Sequence, residues 1–369
     1  MGASPMLAGT TVLDLATVGP AARCSRILAD YGAAVVKVGA PARAGAVQIR
    51  PPFFAYGGHR GMKRVEVDLR SPEGKDVFLR LAARADVVLE SFRPGVVDRL
   101  GIGYDDVRRV NAGVVYCSTS GYGQTGPAAG WAGHDLDYLA VGGFLDCSTP
   151  RADGGPPIPG ATVADSAGGG MHAAIAILAA LLKRGKTGEG EYLATGTVPG
   201  PGHNVLTGRY ACYDCYQAAD GRWLAVAAIE PAFFANLCRA LGLEQWVPHQ
   251  TDDDRQDEIR AAFRAAFARR SRDEWVAELA GADTCVAPVY SVPELVDDPQ
   301  FLSRGAFAVA GDEEHGPFRQ VGAVLAGSEP PAGDHVVPPP GHTDTEEVLL
   351  SAGVGADELG RLRTAGVVA

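Results

Sequence analysis

The residues Thr11-Val-Leu-Asp-Leu-Ala-Thr-Val-Gly-Pro-Ala-Ala-Arg-Cys-Ser-Arg-Ile-Leu-Ala-Asp-Tyr-Gly-Ala-Ala-Val-Val-Lys-Val38 decide the architecture. Thr11-Val-Leu-Asp-Leu15 is a short apolar run, Pro20 opens a helical stretch to about Ala29, Gly32 stops it, and Ala34-Val-Val-Lys-Val38 is a second buried-strand pattern. That is a β-α-β unit. Further along, Val65-Glu-Val-Asp-Leu69, Val87-Val-Leu-Glu90 and Val114-Val-Tyr-Cys-Ser118 repeat the strand pattern. A helix capped by Ser71 and Pro72 and a short one from about Asp105 separate them. Strands bounded by helices on this spacing predict a mostly parallel, Rossmann-like α/β sheet covered on both faces. The turn Ala16-Thr-Val-Gly-Pro20 has one glycine where a pyrophosphate-binding turn needs three, and no Walker-type phosphate loop is present, which argues against nicotinamide and ATP chemistry.

The stretch Ala161–Gly185 reads as a central, buried helix, apolar nearly all round and ended by Gly185. A Gly/Pro-rich crossing, Gly188–Gly208, leads to α+β text. There a hairpin over Ala211–Ala228 turns at Ala219-Asp-Gly221, and helices follow near Pro231–Leu241, Asp257–Ala268 and Arg272–Leu279. Gly327–Gly341, with five prolines, reads as an extended linker before two short helices. The expected division is therefore a large Rossmann-like domain over 1–208, a smaller α+β domain over 209–326, and a linker with C-terminal helices over 327–369 that return to the large domain.

The chain has 369 residues, 46% of them hydrophobic and 21% charged, enough for a large globular core. Its formal charge of −11 argues against nucleic acid and anionic membranes as partners. The longest apolar run, Ala173–Leu182, is half a bilayer span, and Met1-Gly-Ala-Ser-Pro5 is not the start of a secretory signal. A cytoplasmic location is expected. Seven cysteines, an odd number, point to reduced thiols. Cys212-Tyr-Asp-Cys215 has no second pair at zinc-ligand spacing, so no metal is expected.

Three acid/base candidates stand out. His134, in Gly133-His-Asp135 beyond the loop Gly121–Gly126, is either a loop histidine, exposed or hydrogen-bonded to Asp135, or a group placed at the carboxyl end of the sheet, where α/β folds bind ligands. Asp165 precedes three glycines at the mouth of an apolar helix and is either a plain N-cap or a carboxylate beside backbone that a ligand can approach. Glu230, between an apolar run and Pro231, is either helix-start electrostatics or a site carboxylate. Basic residues gather at Arg43 and Arg50, at Arg60, Lys63 and Arg64, and at Arg93 and Arg99. Phe92 beside Arg93, directly after a buried strand, suits a stacked adenine with phosphates nearby.

Several long segments together resemble the class III CoA-transferase family, and within it the α-methylacyl-CoA racemases. They are Leu7-Ala-Gly-Thr-Thr-Val-Leu-Asp14, Ile27-Leu-Ala-Asp-Tyr-Gly-Ala-Ala-Val-Val-Lys37, Arg64-Val-Glu-Val-Asp-Leu-Arg-Ser-Pro-Glu-Gly74, Phe92-Arg-Pro-Gly-Val96, Ser120-Gly-Tyr-Gly-Gln-Thr-Gly-Pro127 and Gly341-His-Thr-Asp344. The resemblance implies an interlocked homodimer acting on an acyl-CoA thioester, with CoA as part of the substrate and no permanently bound cofactor. It makes His134 and Asp165 the two acid/base residues and Glu230 the carboxylate supporting the histidine. The racemase branch inverts a 2-substituted (2-methyl) acyl-CoA; in the transferase branch the aspartate attacks the thioester and carries an anhydride. A pseudoenzyme that binds CoA esters is the reading from another class. Phe92 and Arg99 would contact CoA, with Arg43, Arg60, Lys63 and Arg64 as further contributors. The chain departs from the family pattern in having Gly39 after the second strand and a segment Glu191–Gly202 shorter by about a helix.

Overall fold

The computed structural model describes residues 5–16, 19–41, 58–142, 144–145, 151, 155–195, 210–313, 315–322, 334–338 and 341–369. Arg43, Arg50, Cys147, most of the Gly327–Gly341 linker, and the end of the shortened segment with the residues after it (196–209) lie outside the described residues. The chain divides into two units, Met1–Val141 with Pro159–Pro199 and Pro299–Ala369, and Gly142–Ile158 with Gly200–Asp298.

The first unit is built on β1 (Thr11–Asp14), α1 (Gly19–Asp30), β2 (Ala34–Gly39), β3 (Lys63–Glu66), α2 (Pro72–Ala82), β4 (Val87–Glu90), α3 (Val96–Leu100), α4 (Tyr104–Val110), β5 (Val115–Thr119), α5 (Asp135–Val141), α6 (His172–Thr187) and β6 (Glu191–Thr195). The six strands form one parallel sheet in the order β3-β2-β1-β4-β5-β6. This is the doubly wound Rossmann order, whose ligand crevice opens where the order reverses, outside the carboxyl ends of β1 and β4. Alternate residues of each strand serve opposite faces, so the strands read as unbroken apolar runs. Val87 and Leu89 pack with Ala21, Cys24 and Leu28 of α1 and Ala173 and Ile177 of α6. Val88 joins Phe78 and Leu81 of α2, Val107 of α4 and the C-terminal residues Leu349 and Leu362. Ser71 caps α2 by accepting the Gly74 N–H at 3.0 Å, as its sequence predicts.

Three sequence expectations are corrected here. The Gly188–Gly208 crossing contains the sixth strand, whose Glu191–Thr195 pairs in parallel with Val115–Thr119; as an edge strand it lacks the apolar density of its neighbours. The apolar helix passes Gly185 and ends at Gly188, which takes the left-handed backbone (φ 74°) that a C-terminal cap requires. That helix is also not buried all round. Its first part, Ala164–Met171, is a π-helix continuous with α6, giving 24 residues long and apolar enough by composition to cross a membrane. Ala173, Ala174, Ile177 and Ala180 cover the sheet, while Met171, Ile175 and Leu182 face outward.

The second unit has an antiparallel sheet of β7 (Tyr213–Gln217), β8 (Trp223–Ala227) and β9 (Val286–Pro288) in the order β7-β8-β9, the first two joined by the expected hairpin turn. On it pack α7 (Pro231–Leu241), α8 (Gln256–Phe267) and α9 (Arg272–Leu279), followed by α10 (Val292–Asp297). Tyr216, Leu224, Phe234, Phe263, Phe267 and Trp275 form its core.

The chain then returns to the first unit with α11 (Pro299–Ser303), a small sheet of β10 (Phe307–Asp312), β11 (Gly316–Val321) and β12 (His335–Val336), and helices α12 (Thr345–Ser351) and α13 (Ala356–Thr364). The second unit thus ends at Asp298, where the sequence reading carried the small domain to 326. Arg60 fastens the β10–β11 hairpin to the first unit by donating to the Val321 carbonyl at 2.8 Å. The closing motif is fastened too: Asp344 accepts the Arg64 N–H at 2.9 Å and donates its own N–H to the Arg64 carbonyl at 2.7 Å.

Candidate active site

The loop after β5 carries His134 at the mouth of α5. Its backbone is held from both sides: the His134 N–H donates to Asp137 Oδ2 at 2.9 Å, and its carbonyl accepts the N–H groups of Asp137 (2.9 Å) and Tyr138 (3.2 Å). The imidazole is exposed and has no hydrogen-bonded partner among the described residues. His134 is thus the exposed loop histidine of the sequence expectation and not one bonded to its neighbour, since Asp135 Oδ1 accepts the Asp165 N–H at 2.7 Å. Tyr138 roots this loop. Its hydroxyl donates to the Gly133 carbonyl, and its ring meets Tyr122 edge-on at 5.1 Å between centroids. A Cβ on Gly121 would fall 2.0 Å from the Tyr138 ring, so only glycine fits there. Burial first, then the Asp165 charge, pushes the Tyr138 hydroxyl up to about 12.

Asp165 lies in the first turn of the π-helix and is not its N-cap, a position taken by Val163. A π-helix repeats at i+5, which places Gly170 under Asp165 on the face toward α1. There a Cβ would lie 2.6 Å from the Cβ of Arg23 and 3.1 Å from the Pro20 carbonyl oxygen. The glycine at 170 is therefore what lets α1 come so near. The Asp165 carboxyl is half-buried, and burial, then the charge of Asp135, raises it above the usual carboxylate range; Arg23 and His134 act in the opposite direction. The structure thus brings His134 and Asp165 into one electrostatic environment through the Asp135 bridge. Of the backbone donors at hand, the Ser166 N–H is spent on the Thr162 carbonyl at 3.1 Å. The Asp135 N–H opens α5, where helical N–H groups have no intrahelical acceptor.

Glu230 stands in the second unit at the N-cap position of α7, exposed, with no capping bond from its side chain. Ile229 before it is anchored by the Gln250 side-chain amide, which donates to its carbonyl at 2.7 Å.

The candidates for a nucleotide end are divided. Phe92 follows β4, half-buried against the main core, and Arg99 is exposed with its guanidinium 3.2 Å from where a Cβ on Gly95 would sit. The Arg99 guanidinium has no hydrogen-bonded partner among the described residues. Arg60 is buried and committed to Val321 and Asp30, Lys63 is ion-paired with Glu347, and Arg64 with Glu66 at 3.0 Å. Next to Phe92 the sequence reading overlooked Glu90, only 2% exposed, which accepts the Phe92 N–H at 2.7 Å. Burial pushes its carboxyl up to about 7 against the hydrogen bonds from Ser118 and Phe92. Glu90 lines a cavity of about 270 Å³ with Arg93, Tyr104, Tyr116, Gln124 and Tyr192; Phe92 and Arg99 do not line it. Among the described residues no group of three or more His, Cys, Asp or Glu is placed to hold a metal ion, and the six described cysteines are all free thiols.

A family model described as CoA-transferase family III matches residues 7–199 and 191–345. The chain is 33% identical over 385 residues to an alpha-methylacyl-CoA racemase of Homo sapiens, covering 97% of this chain and 96% of the relative. It is 27% identical over 397 residues to a succinyl-CoA--D-citramalate CoA-transferase of Chloroflexus aurantiacus, covering 97% and 96%. Among solved structures it is similar to a CAIB/BAIF family protein from Brucella suis, with a TM-score of 0.73 and 26% identity over 94% of this chain and 98% of the other.

Proposed function

This chain belongs to CoA-transferase family III, and on that premise we propose that it racemises or epimerises 2-substituted acyl-CoA thioesters by removing the α-proton and returning one to the opposite face. The observation that carries this reading is the joint placement of His134, with its unpartnered imidazole, and Asp165, with its raised carboxyl. Inverting a carbon beside a thioester needs one base on each side and a donor for the enolate oxygen. His134 and Asp165 are the bases, and the Asp135 N–H is the donor. A carboxyl raised from its ordinary value is a stronger base than an unperturbed one and so takes up the α-proton more readily. Glu230 supports His134 from the second unit of a partner copy in an interlocked dimer. The α-proton exchange experiment argued in the Discussion tests the reaction.

The second reading is CoA transfer between carboxylic acids, and similarity to a transferase over the whole chain favours it. In that reaction an Asp165 oxygen attacks the thioester carbonyl, the carbon–sulfur bond breaks, and CoA leaves as the thiolate. An acyl group trapped from Asp165 by hydroxylamine, with turnover only when an acceptor acid is present, would put transfer first.

The adenine–phosphate end of CoA lies at Phe92 and Arg99, beside the crevice where the strand order reverses. Arg99→Ala should weaken CoA-ester binding by roughly 1.5–3 kcal/mol, the loss of a charge-assisted contact. Lys63→Ala should change it less, because Lys63 already has Glu347. Equal effects in calorimetric titration would move the nucleotide toward Lys63. Interlocked copies should bury far more than the ~1,600 Å² of an ordinary interface. Sedimentation at nanomolar concentration is therefore expected to show no folded monomer, and a folded monomer would remove the shared site.

A further inference from the structure

We propose that Arg23 is a positioning residue of this site, holding the Asp165 carboxylate in its charged form so that it can accept the α-proton. The inference rests on the reading of Asp165 as a proton acceptor. Three observations carry it. The π-helical repeat sets Gly170 beneath Asp165, and the bare glycine admits α1 until the Arg23 Cβ stands 2.6 Å from the space a side chain would fill. The Arg23 guanidinium has no hydrogen-bonded or ion-paired partner among the described residues. On the same helix Arg26, by contrast, is tied to Asp30 at 2.7 Å and to the Arg60 carbonyl.

The groups facing Asp165 make the assignment specific. From α5 and the loop before it come Asp135, Tyr138 and His134; from α1 comes Arg23. Asp135 opposes ionisation of Asp165, and Tyr138 is uncharged at neutral pH. His134 is a cation only in half of the catalytic cycle, since it gains and loses the proton being moved. Arg23 is the cation among these whose charge does not change with pH or turnover. Burial and the Asp135 charge push Asp165 toward its neutral form, and Arg23 is the first of the charges that act against them.

Two measurements test it. The first follows the Asp165 carboxyl by ¹³C NMR, its signal assigned with Asp165→Asn. Arg23→Met should raise the midpoint by about 1 pH unit, the lower end of what an opposite charge does, and Arg23→Lys should restore most of it. Arg23 is exposed, so neither change empties a core. The second follows, against pH, α-proton wash-out from the epimer whose exchange is lost in Asp165→Asn. The limb on which activity is lost as pH falls through the Asp165 midpoint should move up in Arg23→Met by the same amount, and less in 1 M salt. Unmoved midpoints, or equal shifts in the Met and Lys variants, would overturn the role of Arg23. A moved midpoint with wash-out from both epimers unaffected by Asp165→Asn would keep Arg23's effect on the carboxyl and sink the reading of Asp165 as a base.

Discussion

Replacing Lys37 by methionine is expected to cost the first unit about 3–5 kcal/mol, the loss that follows when one partner of a buried ion pair is removed. Lys37 and Asp14 are direct register partners on β2 and β1. Asp14 is 0% and Lys37 6% exposed, and Nζ meets Asp14 Oδ2 at 2.7 Å. Both groups also hold the turn into α1: Asp14 Oδ1 accepts the Ala16 N–H at 2.7 Å, and Lys37 donates to the Ala16 carbonyl. Methionine matches the stem of lysine, so the expected loss comes from the stranded carboxylate and carbonyl and not from a cavity. Removing both charges, as Asp14→Leu with Lys37→Met, should recover much of the loss, leaving the unpaired Ala16 N–H and carbonyl at about 1–3 kcal/mol each. Urea unfolding, with hydrogen exchange of the β1 and β2 amides to locate the effect, measures both. A loss below about 1 kcal/mol for the single change would mean that water reaches Asp14 and the pair is not buried in solution.

This pair shows what a sequence of this kind discloses and what it withholds. Asp14 and Lys37 interrupt two apolar runs, so the strands were legible, and so was the β-α-β unit around them. The pairing was not, because strands buried on both faces lack the alternation that marks a register. The edge strand Glu191–Thr195 escaped for the opposite reason: exposed and half-buried residues alternate in it without an apolar run. The π-helix was illegible because Ala-Gly-Gly-Gly text carries no side-chain repeat that would separate i+4 from i+5. At the site, His134 and Asp165 stood out as polar groups beside glycines. The Asp135 bond that joins them did not, since it reaches the Asp165 N–H across thirty residues that spacing cannot fold. The basic cluster Arg60, Lys63 and Arg64 read as free charge for the same reason. Two of its partners, Val321 and Glu347, arrive from the far end of the chain.

In deuterated water with a 2-methylacyl-CoA, the protein is expected to wash deuterium into the α-position while both epimers accumulate, with no second carboxylic acid required. The carbon–hydrogen bond next to a thioester is a weak acid, and inversion requires that the proton leave from one face and return to the other. With His134 and Asp165 as the two bases, replacing either by alanine should slow racemisation by about 10²–10⁴, the usual worth of a positioned acid or base. The two variants should fail differently. His134→Ala retains the base for one epimer and Asp165→Ala the base for the other, so each should still exchange the proton of a single epimer while inverting neither. Glu230→Gln should cost less than either, because on this reading it orients the imidazole and does not meet the α-carbon. The pattern of exchange, read by mass spectrometry on each pure epimer, is more decisive than any single rate. A variant that loses wash-out from both epimers at once points to one residue handling both faces and ends the two-base assignment. Wash-out from neither epimer by the unaltered protein, across several acyl chains and with an acceptor acid supplied, would leave a protein that binds the thioester without chemistry.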